Sequence, residues 1–163
     1  MTSSVTAYLG LGGNQGNSKD ILSGAIEDLR RTDGIKVTRC SSFYRTAPLG
    51  YEQQGDFLNA VCEIETSLSP GDLLNRLQTI ETKAGRDRNG PRWGPRTLDI
   101  DLLLYGDWRQ ESTELTLPHP RMHQRAFVLY PLMEIAPGLL VPDRGTVEDL
   151  AKACAEQTIN RLD

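Results

Sequence analysis

The chain has 163 residues, of which 38% are hydrophobic and 25% are charged, and its formal net charge is −4. This length and composition predict one globular domain spanning residues 1–163, with a core large enough to need no disulfide or metal for stability. The acidic balance argues against a dedicated nucleic-acid-binding protein, which is usually basic. One segment reverses the sign: residues 86–96, RDRNGPRWGPR, contain four arginines and one aspartate.

Targeting segments and cysteine motifs are not recognisable. No apolar run approaches the ~18 residues of a membrane span, and the N-terminus has no basic region ahead of an apolar stretch, so a cytoplasmic location is the default expectation. Cys40, Cys62 and Cys154 are odd in number, far apart and without CxxC spacing. We therefore expect three reduced thiols and neither a zinc site nor a disulfide framework.

Strand and helix patterns alternate through the first half of the chain. Residues 5–11 are rich in β-formers and precede a turn cluster, after which Asn17 or Ser18 caps a helix that ends before Gly34. Residues 36–44 predict a second strand and residues 57–66 a third.

The second half of this pattern begins at Ser69 and Pro70, which mark the start of a helix that continues to Gly85. Residues 97–105 predict the fourth strand. The order βαββαβ is typical of an α+β, ferredoxin-like core: an antiparallel four-stranded sheet with both helices on one face. Beyond it we expect a C-terminal strand at 114–117 and helices around 124–135 and 146–156.

The predicted fourth strand carries two carboxylates, Asp99 and Asp101, in the sequence LDID. Side chains of a strand alternate between faces, so both carboxylates point to the same side. Two carboxylates so close repel each other unless a cation lies between them, and Mg²⁺ binds one or two carboxylates together with substrate phosphates. The alternative is a solvated strand face with two ordinary acids.

The arginine-rich segment directly precedes this strand. Guanidinium groups bind phosphate oxygens by charge and by paired hydrogen bonds, and Trp93 offers a flat stacking surface. Glycines and prolines in the same segment indicate a loop that moves and closes. Alone, the segment could be a solvated basic loop; beside D-x-D, it predicts a Mg²⁺–polyphosphate site that works by positioning and charge neutralisation.

Two further motifs are weaker. Residues 10–17, GLGGNQGN, lack the lysine of a Walker A loop and do not match G-x-G-x-x-G, so a turn into a helix is favoured over a phosphate loop. His119 and His123 have the spacing of a metal-binding pair, but Pro120 disfavours one helix through both. Hydrogen bonding of His119 to a phosphate, near Arg121 and Arg125, is the favoured interpretation.

Several segments together resemble the 6-hydroxymethyl-7,8-dihydropterin pyrophosphokinase family of folate biosynthesis. They are YLGLGGNQG near the N-terminus, SSFYRTAPLG at 41–50, DFLNAV at 56–61, RWGPRTLDIDLLLYG at 92–106, LPHPRMHQRAFVL at 117–129 and PLMEIAP at 131–137. The resemblance covers nearly the whole chain. It implies a monomeric enzyme with a ferredoxin-like fold. This enzyme would transfer the β,γ-diphosphate of ATP to the hydroxymethyl group of the pterin and release AMP. Its partners would be small molecules, with no nucleic acid and no membrane.

The resemblance also implies a role for individual residues. Two Mg²⁺ ions would be held by Asp99 and Asp101, and the catalytic arginines fall on Arg86 and Arg96. The expected ATP-binding residues are Gln78, Arg88, Arg92, Trp93, Thr116, His119 and Arg125. The expected pterin-binding residues are Thr46, Ala47, Leu49, Phe57, Asn59 and Phe127.

In the implied pterin site, Phe57 and Phe127 stack on the ring and Asn59 reads its polar edge. Without the resemblance, core packing is the favoured interpretation of the two phenylalanines. Three positions depart from the family pattern: Phe57 replaces a tyrosine of some relatives, Ala47 a frequent proline, and Glu114 a basic residue that contacts ATP.

The main alternative is a non-catalytic ferredoxin-like module that binds a nucleotide or RNA. An RNA-binding sheet would need exposed stacking aromatics and a basic surface, whereas Asp99 and Asp101 would repel a phosphate backbone. A relative that binds nucleotide without chemistry is disfavoured by the presence of both aspartates together with Arg86 and Arg96.

Overall fold

The computed structural model describes residues 4–14, 17–46, 57–84 and 98–162. Ten strands and four α-helices follow one another along these residues. The longer strands are β1 (Val5–Gly13), β2 (Ile35–Cys40), β3 (Tyr44–Thr46), β4 (Phe57–Thr66) and β5 (Asp99–Tyr105). The short strands are β6 (Gln110–Glu111), β7 (Thr116–Leu117), β8 (Leu140–Val141), β9 (Gly145–Thr146) and β10 (Ile159–Arg161). The helices are α1 (Ser18–Arg30), α2 (Pro70–Lys83), α3 (Ala126–Ile135) and α4 (Val147–Lys152).

The main sheet is antiparallel, with β1 between β4 and β5. Strands β2 and β3 pair with successive parts of β4, and β10 adds to β3. Strand β4 thus lies between β1 and β2, the two strands that α1 connects, which is the split βαβ arrangement. The predicted ferredoxin-like α+β fold is confirmed.

Alternation of side chains along the strands divides the core into two layers. Leu9 and Leu11 on β1 pack against α1 and α2 in one cluster, which confirms the prediction that both helices share a face. Tyr8 and Val61 lie in a second cluster with residues of α3 and α4, which cover the opposite face. A slip of β5 by one residue would turn Asp99 and Asp101 into the core beneath α1 and α2, so the alternation of apolar and charged residues fixes the register of that strand.

Helix starts follow the predicted caps. The Asn17 side chain accepts a hydrogen bond from the Asp20 amide at 3.3 Å, and α1 begins at the next residue. Ser69 caps α2 in the same way through the Asp72 amide at 3.2 Å, with Pro70 as the first helical residue. These side chains satisfy backbone donors that the first turn of a helix leaves without partners.

Strand predictions differ from the structure in two places. The predicted strand 36–44 is divided into β2 and β3, because the Ser41 hydroxyl takes the place of a backbone acceptor for the Val61 amide at 2.9 Å and interrupts the ladder. Gly12 and Gly13, predicted as the start of a turn, belong to β1.

Helix predictions in the C-terminal part are too long. The predicted helix 124–135 begins at Ala126, because Arg125 has an extended backbone that separates α3 from a short 3₁₀ turn at Met122–Gln124. Helix α4 ends at Lys152, after which tighter turns follow. None of the described helices is long and apolar enough to cross a membrane.

Gly34 offers a test of backbone conformation in this fold. Its φ is +86°, and a Cβ there would lie 2.8 Å from the Leu68 side chain. Gly34→Ala should lower the free energy of unfolding by more than about 1 kcal/mol, measured by urea titration. The matched control is Gly24→Ala, in the exposed middle of α1 with nothing within 4 Å of the new Cβ, where we expect a gain of about 0.5–1 kcal/mol. Equal effects of the two changes would contradict this assignment.

Candidate active site

Asp99 and Asp101 lie side by side on one face of β5, as predicted. The two carboxylates are partly exposed, whereas Ile100 and Leu102 between and after them are buried in the core beneath α1 and α2. Register places Gly12 of β1 opposite Asp99 and Gly10 opposite Asp101. The aspartates therefore face the α3 side of the sheet, next to a strand that contributes no side chain there.

One row of residues runs across the sheet from the aspartates. Asp99 lies opposite Gly12, Gly12 opposite Asn59 on β4, and Asn59 opposite Tyr44 on β3. A Cβ at Gly12 would come within 2.8 Å of the Asn59 Oδ1 atom. Glycine thus keeps the space between Asn59 and Asp99 open.

Asn59 is 5% exposed and is held by its neighbour on β3. Its Nδ2 atom donates to the Thr46 hydroxyl at 2.9 Å. Phe57, partly buried, lies two residues earlier on β4 and so shares this face of the sheet. Three of the six predicted pterin-binding residues are therefore neighbours at the same end of the sheet.

Phe127, another predicted pterin-binding residue, lies in the first turn of α3 on the same side of the sheet. The guanidinium carbon of Arg125 lies 5.3 Å from the centroid of its ring, a cation–π distance. Burial lowers the pKa of Arg125, while the charges of Asp101 and Asp99 oppose that change. Arg125 therefore interacts both with the Phe127 ring and, through its charge, with the two carboxylates.

His119 approaches the other end of the aspartate pair. Its Nε2 atom lies 4.0 Å from the Asp101 Oδ2 atom, and its Nδ1 atom accepts a hydrogen bond from the Arg121 amide at 3.2 Å. Burial, followed by the positive charges of Arg125, Arg144 and Arg121, lowers the pKa of His119 to about 4. The ring is therefore neutral at pH 7, and its remaining proton is on Nε2, where it can donate to an anion.

A cavity of about 240 Å³ opens beside β5, on the far side from β1. Apolar side chains of Leu74, Ile100 and Leu102 form part of its wall, and Thr116 and His119 line it with Asp101. Gln78 lies one helical turn after Leu74 on α2. Six of the eleven lining residues are polar or charged, so apolar side chains and hydrogen-bonding groups share the wall. Glu114, one of the departures from the family pattern, also lines this cavity.

Glu81 is a functional candidate that the sequence analysis did not identify. It is 3% exposed, and its Oε2 atom accepts a hydrogen bond from the Ile100 amide at 2.8 Å. Ile100 lies between the two aspartates, so Glu81 fixes the backbone of the strand segment that presents them. The available signal was a carboxylate on the apolar stripe of the predicted second helix.

The remaining predicted residues lie outside the described ranges. They are Ala47 and Leu49, expected to bind the pterin, and Arg86, Arg88, Arg92, Trp93 and Arg96, expected to bind the phosphates. In the sequence, two residues separate the end of the arginine segment from the first residue of β5. Among the described residues, no group of three or more His, Cys, Asp or Glu side chains could hold a metal ion.

Comparisons with known proteins give consistent matches to one enzyme family. Residues 8–137 match the family model described as 7,8-dihydro-6-hydroxymethylpterin-pyrophosphokinase (HPPK). The chain is 42% identical over 158 residues to the 2-amino-4-hydroxy-6-hydroxymethyldihydropteridine pyrophosphokinase of Haemophilus influenzae, covering 97% of this chain and 98% of that one. It is 50% identical over 139 residues to the enzyme of the same name from Synechocystis, covering 85% of this chain and 70% of that one.

A solved structure shares the fold. The Plasmodium falciparum HPPK-DHPS crystal structure with pteroate superposes with a TM-score of 0.72 at 15% sequence identity. The match covers 94% of this chain, which spans 43% of the Plasmodium chain.

The role of Glu81 can be tested by stability. Glu81→Leu leaves the buried Ile100 amide without its acceptor and should lower the free energy of unfolding by about 1–3 kcal/mol. Glu81→Gln retains an oxygen acceptor and should lose less. Urea unfolding of both variants measures the difference, and equal stability of the leucine variant and the unmodified protein would exclude the role.

Proposed function

The chain belongs to the 7,8-dihydro-6-hydroxymethylpterin-pyrophosphokinase family and is a pyrophosphokinase of folate biosynthesis; we propose that its reaction takes place on the sheet face that carries Asp99 and Asp101. The enzyme transfers the β,γ-diphosphate of ATP to the hydroxymethyl group of 6-hydroxymethyl-7,8-dihydropterin and forms AMP. One observation supports the location most directly: the aspartates lie between the Asn59 end of the sheet and the cavity beside β5.

The nucleotide base is assigned to that cavity. Leu74, Ile100 and Leu102 would pack against a flat heterocycle, with Thr116 among the polar groups of the wall. Gln78, one helical turn after Leu74 on α2, would approach the base from the same helix. The Ile100 amide points away from β1, towards Glu81, and backbone groups of a strand alternate in direction. The amide and carbonyl of Leu102 therefore point to this same side and would pair with the polar edge of the base.

The phosphates then extend from the cavity over the aspartates. His119 donates from Nε2, and Arg125 brings a positive charge to the same place, with Arg121 close by. From the sequence, we assign Arg86 and Arg96 to the transferring phosphates and Arg88, Arg92 and Trp93 to closure of the arginine segment over ATP. These cations would stabilise charge that develops on the phosphoryl oxygens.

Asp99 and Asp101 would hold two Mg²⁺ ions. The residues fit such a group: two hard oxygen donors share a face, and Gly10 and Gly12 leave the neighbouring strand open for phosphate oxygens. When bound, the metal ions would neutralise charge on the triphosphate and on the departing AMP. The two carboxylates would hold the positive charge of the metal ions at a defined position on a rigid strand.

The pterin is assigned to the Asn59 end. Asn59, oriented by Thr46, would read the polar edge of the ring, and backbone groups of Ala47 and Leu49 would add hydrogen bonds. Phe57 and Phe127 would stack on its faces. The hydroxymethyl oxygen then attacks the β-phosphorus in line, the bond from that phosphorus to the α,β-bridging oxygen breaks, and AMP leaves.

We assign the chain a single domain, monomeric in a cytoplasmic setting, with ATP and the pterin as its partners and no nucleic acid. Trp108 and Leu140 are the only exposed large hydrophobic side chains among the described residues, so this part of the surface offers little apolar area for a permanent interface. The carboxylates on the site face disfavour a nucleic acid.

The activity is tested by incubating the protein with hydroxymethyl-dihydropterin, ATP and Mg²⁺ and measuring AMP. We expect AMP to form at a rate that depends on the pterin. Absence of AMP above a control without pterin would exclude the enzyme and favour the nucleotide-binding module.

Loss of either carboxylate tests the assigned metal site. Asp99→Asn and Asp101→Asn should each lower kcat/KM about a hundredfold or more, because bound cation charge is lost from the phosphoryl centre. Asp107→Asn, in the exposed turn after β5, is the matched control and should retain full activity. Near-normal AMP formation by either site variant would contradict the assignment.

Gly12→Ala tests the Asn59 end. The new methyl group would displace the Asn59 side chain, and loss of one hydrogen bond to the pterin should raise the KM for the pterin about tenfold, with little change in the KM for ATP. Steady-state kinetics against Gly24→Ala measure both constants. An equal rise in both KM values would indicate a general structural defect.

Leu74→Trp tests the assignment of the cavity to the base. The larger ring would occupy the space and raise the KM for ATP about tenfold or more, while Leu74→Met, which nearly conserves volume, should have little effect. Titration of each substrate separately distinguishes this result from a loss of pterin binding. An unchanged KM for ATP in a folded Leu74→Trp variant would show that the base binds outside this cavity.

A further inference from the structure

Cys40 and Cys62 face each other across the pairing of β2 with β4. They are directly opposite in the register, and their sulfur atoms are 2.9 Å apart. Both are thiols in this structure, as is Cys154. The sequence separates the pair by 21 residues and gave no indication that they meet.

The backbone already has the spacing that a disulfide needs. Residues directly opposite in antiparallel strands have Cα atoms about 4.5–5.5 Å apart, within the range of about 4.4–6.8 Å found for disulfides. The sulfur atoms need to approach by less than about 1 Å to reach the bond length of about 2.05 Å. Side-chain adjustment therefore suffices, without a change in strand pairing.

The two thiols differ in access and in charge. Cys40 is partly exposed near the end of α1, whereas Cys62 is fully buried. The hydrogen bond from Cys62 lowers the pKa of Cys40, and Arg30 on α1 acts in the same direction against burial and the charge of Glu27. The same hydrogen bond and burial raise the pKa of Cys62. Oxidants therefore meet Cys40 first, as the more reactive sulfur.

We propose that Cys40 and Cys62 form an oxidisable dithiol, which a hydroperoxide converts to a disulfide between β2 and β4. The Cys40 sulfur attacks the peroxide, the O–O bond breaks, and Cys40 becomes a sulfenic acid. The Cys62 sulfur then attacks the Cys40 sulfur, the S–O bond breaks, and water leaves with the Cys62 proton. In total, two thiols lose two electrons and two protons, and hydrogen peroxide becomes two water molecules.

This site is separate from the proposed chemistry. Cys62 belongs to the core cluster beneath α1 and α2, while Asn59 and Asp101 face the α3 side. Oxidation should therefore change the thiol state and the resistance to unfolding without removing a catalytic group. A bond between β2 and β4 restricts the unfolded chain, so the urea midpoint should rise.

The experiment treats the folded protein with a small excess of hydrogen peroxide, quenches with catalase and counts thiols in denaturant. We expect three thiols to fall to one, with a protein mass lower by two hydrogens and a peptide pair joined through Cys40 and Cys62. Cys154→Ser should likewise lose two thiols. Three remaining thiols, a disulfide between chains or a bond that includes Cys154 would overturn the proposal.

Two variants identify the order of reaction. In Cys62→Ser, a sulfenic acid should accumulate on Cys40 and be trapped by dimedone, whereas Cys40→Ser should form neither adduct nor disulfide at the same dose. Cys40→Ala replaces Cys40→Ser if the serine variant fails to fold. Labelling of Cys62 in preference to Cys40 would contradict the assigned order. Each readout is independent of AMP formation, so its result stands apart from that of the enzyme assay.

Discussion

The antiparallel pairing of β1 with both β4 and β5 is the constraint on which the site depends. It aligns Asn59, Gly12 and Asp99 in one row, so that groups far apart in sequence share one face. The core beneath that face holds Leu9, Leu11 and Ile100, and it prevents a slip in register. The same strands therefore pack into the core with one face and carry the site on the other. Substitutions in the buried layer would shift the site residues as well.

The charges around the two aspartates complete the site that the strand register aligns. Two adjacent carboxylates are unfavourable together unless positive charge is near, and Arg125 provides part of it within the described residues. Burial, together with the charges of Arg125, Arg144 and Arg121, lowers the pKa of His119 and keeps the ring neutral, so it offers a hydrogen-bond donor without adding a charge. A highly charged triphosphate fits this balance better than a neutral ligand, and the acidic remainder of the chain disfavours a long polyanion.

Much of the fold followed from local patterns. Apolar periodicity, the caps at Asn17 and Ser69 and the alternation of LDID were sufficient to predict the order of elements and the shared face of the aspartates. Predictions failed where tertiary contacts decide local structure. Ser41 divides one predicted strand by bonding to a residue 20 positions away, and Arg125 delays the start of α3. A local pattern in the sequence does not predict such long-range contacts.

The sequence by itself determined the chemical types and their order: paired carboxylates, a preceding arginine segment and a motif set that specifies the family. Tertiary structure decided which residues are neighbours. It joined Asn59 to Thr46, brought Glu81 to the Ile100 amide and set Cys40 against Cys62. The physical reason is that alternation along a strand depends on adjacent residues alone, whereas a partner across strands depends on register, which the packing of the whole core selects.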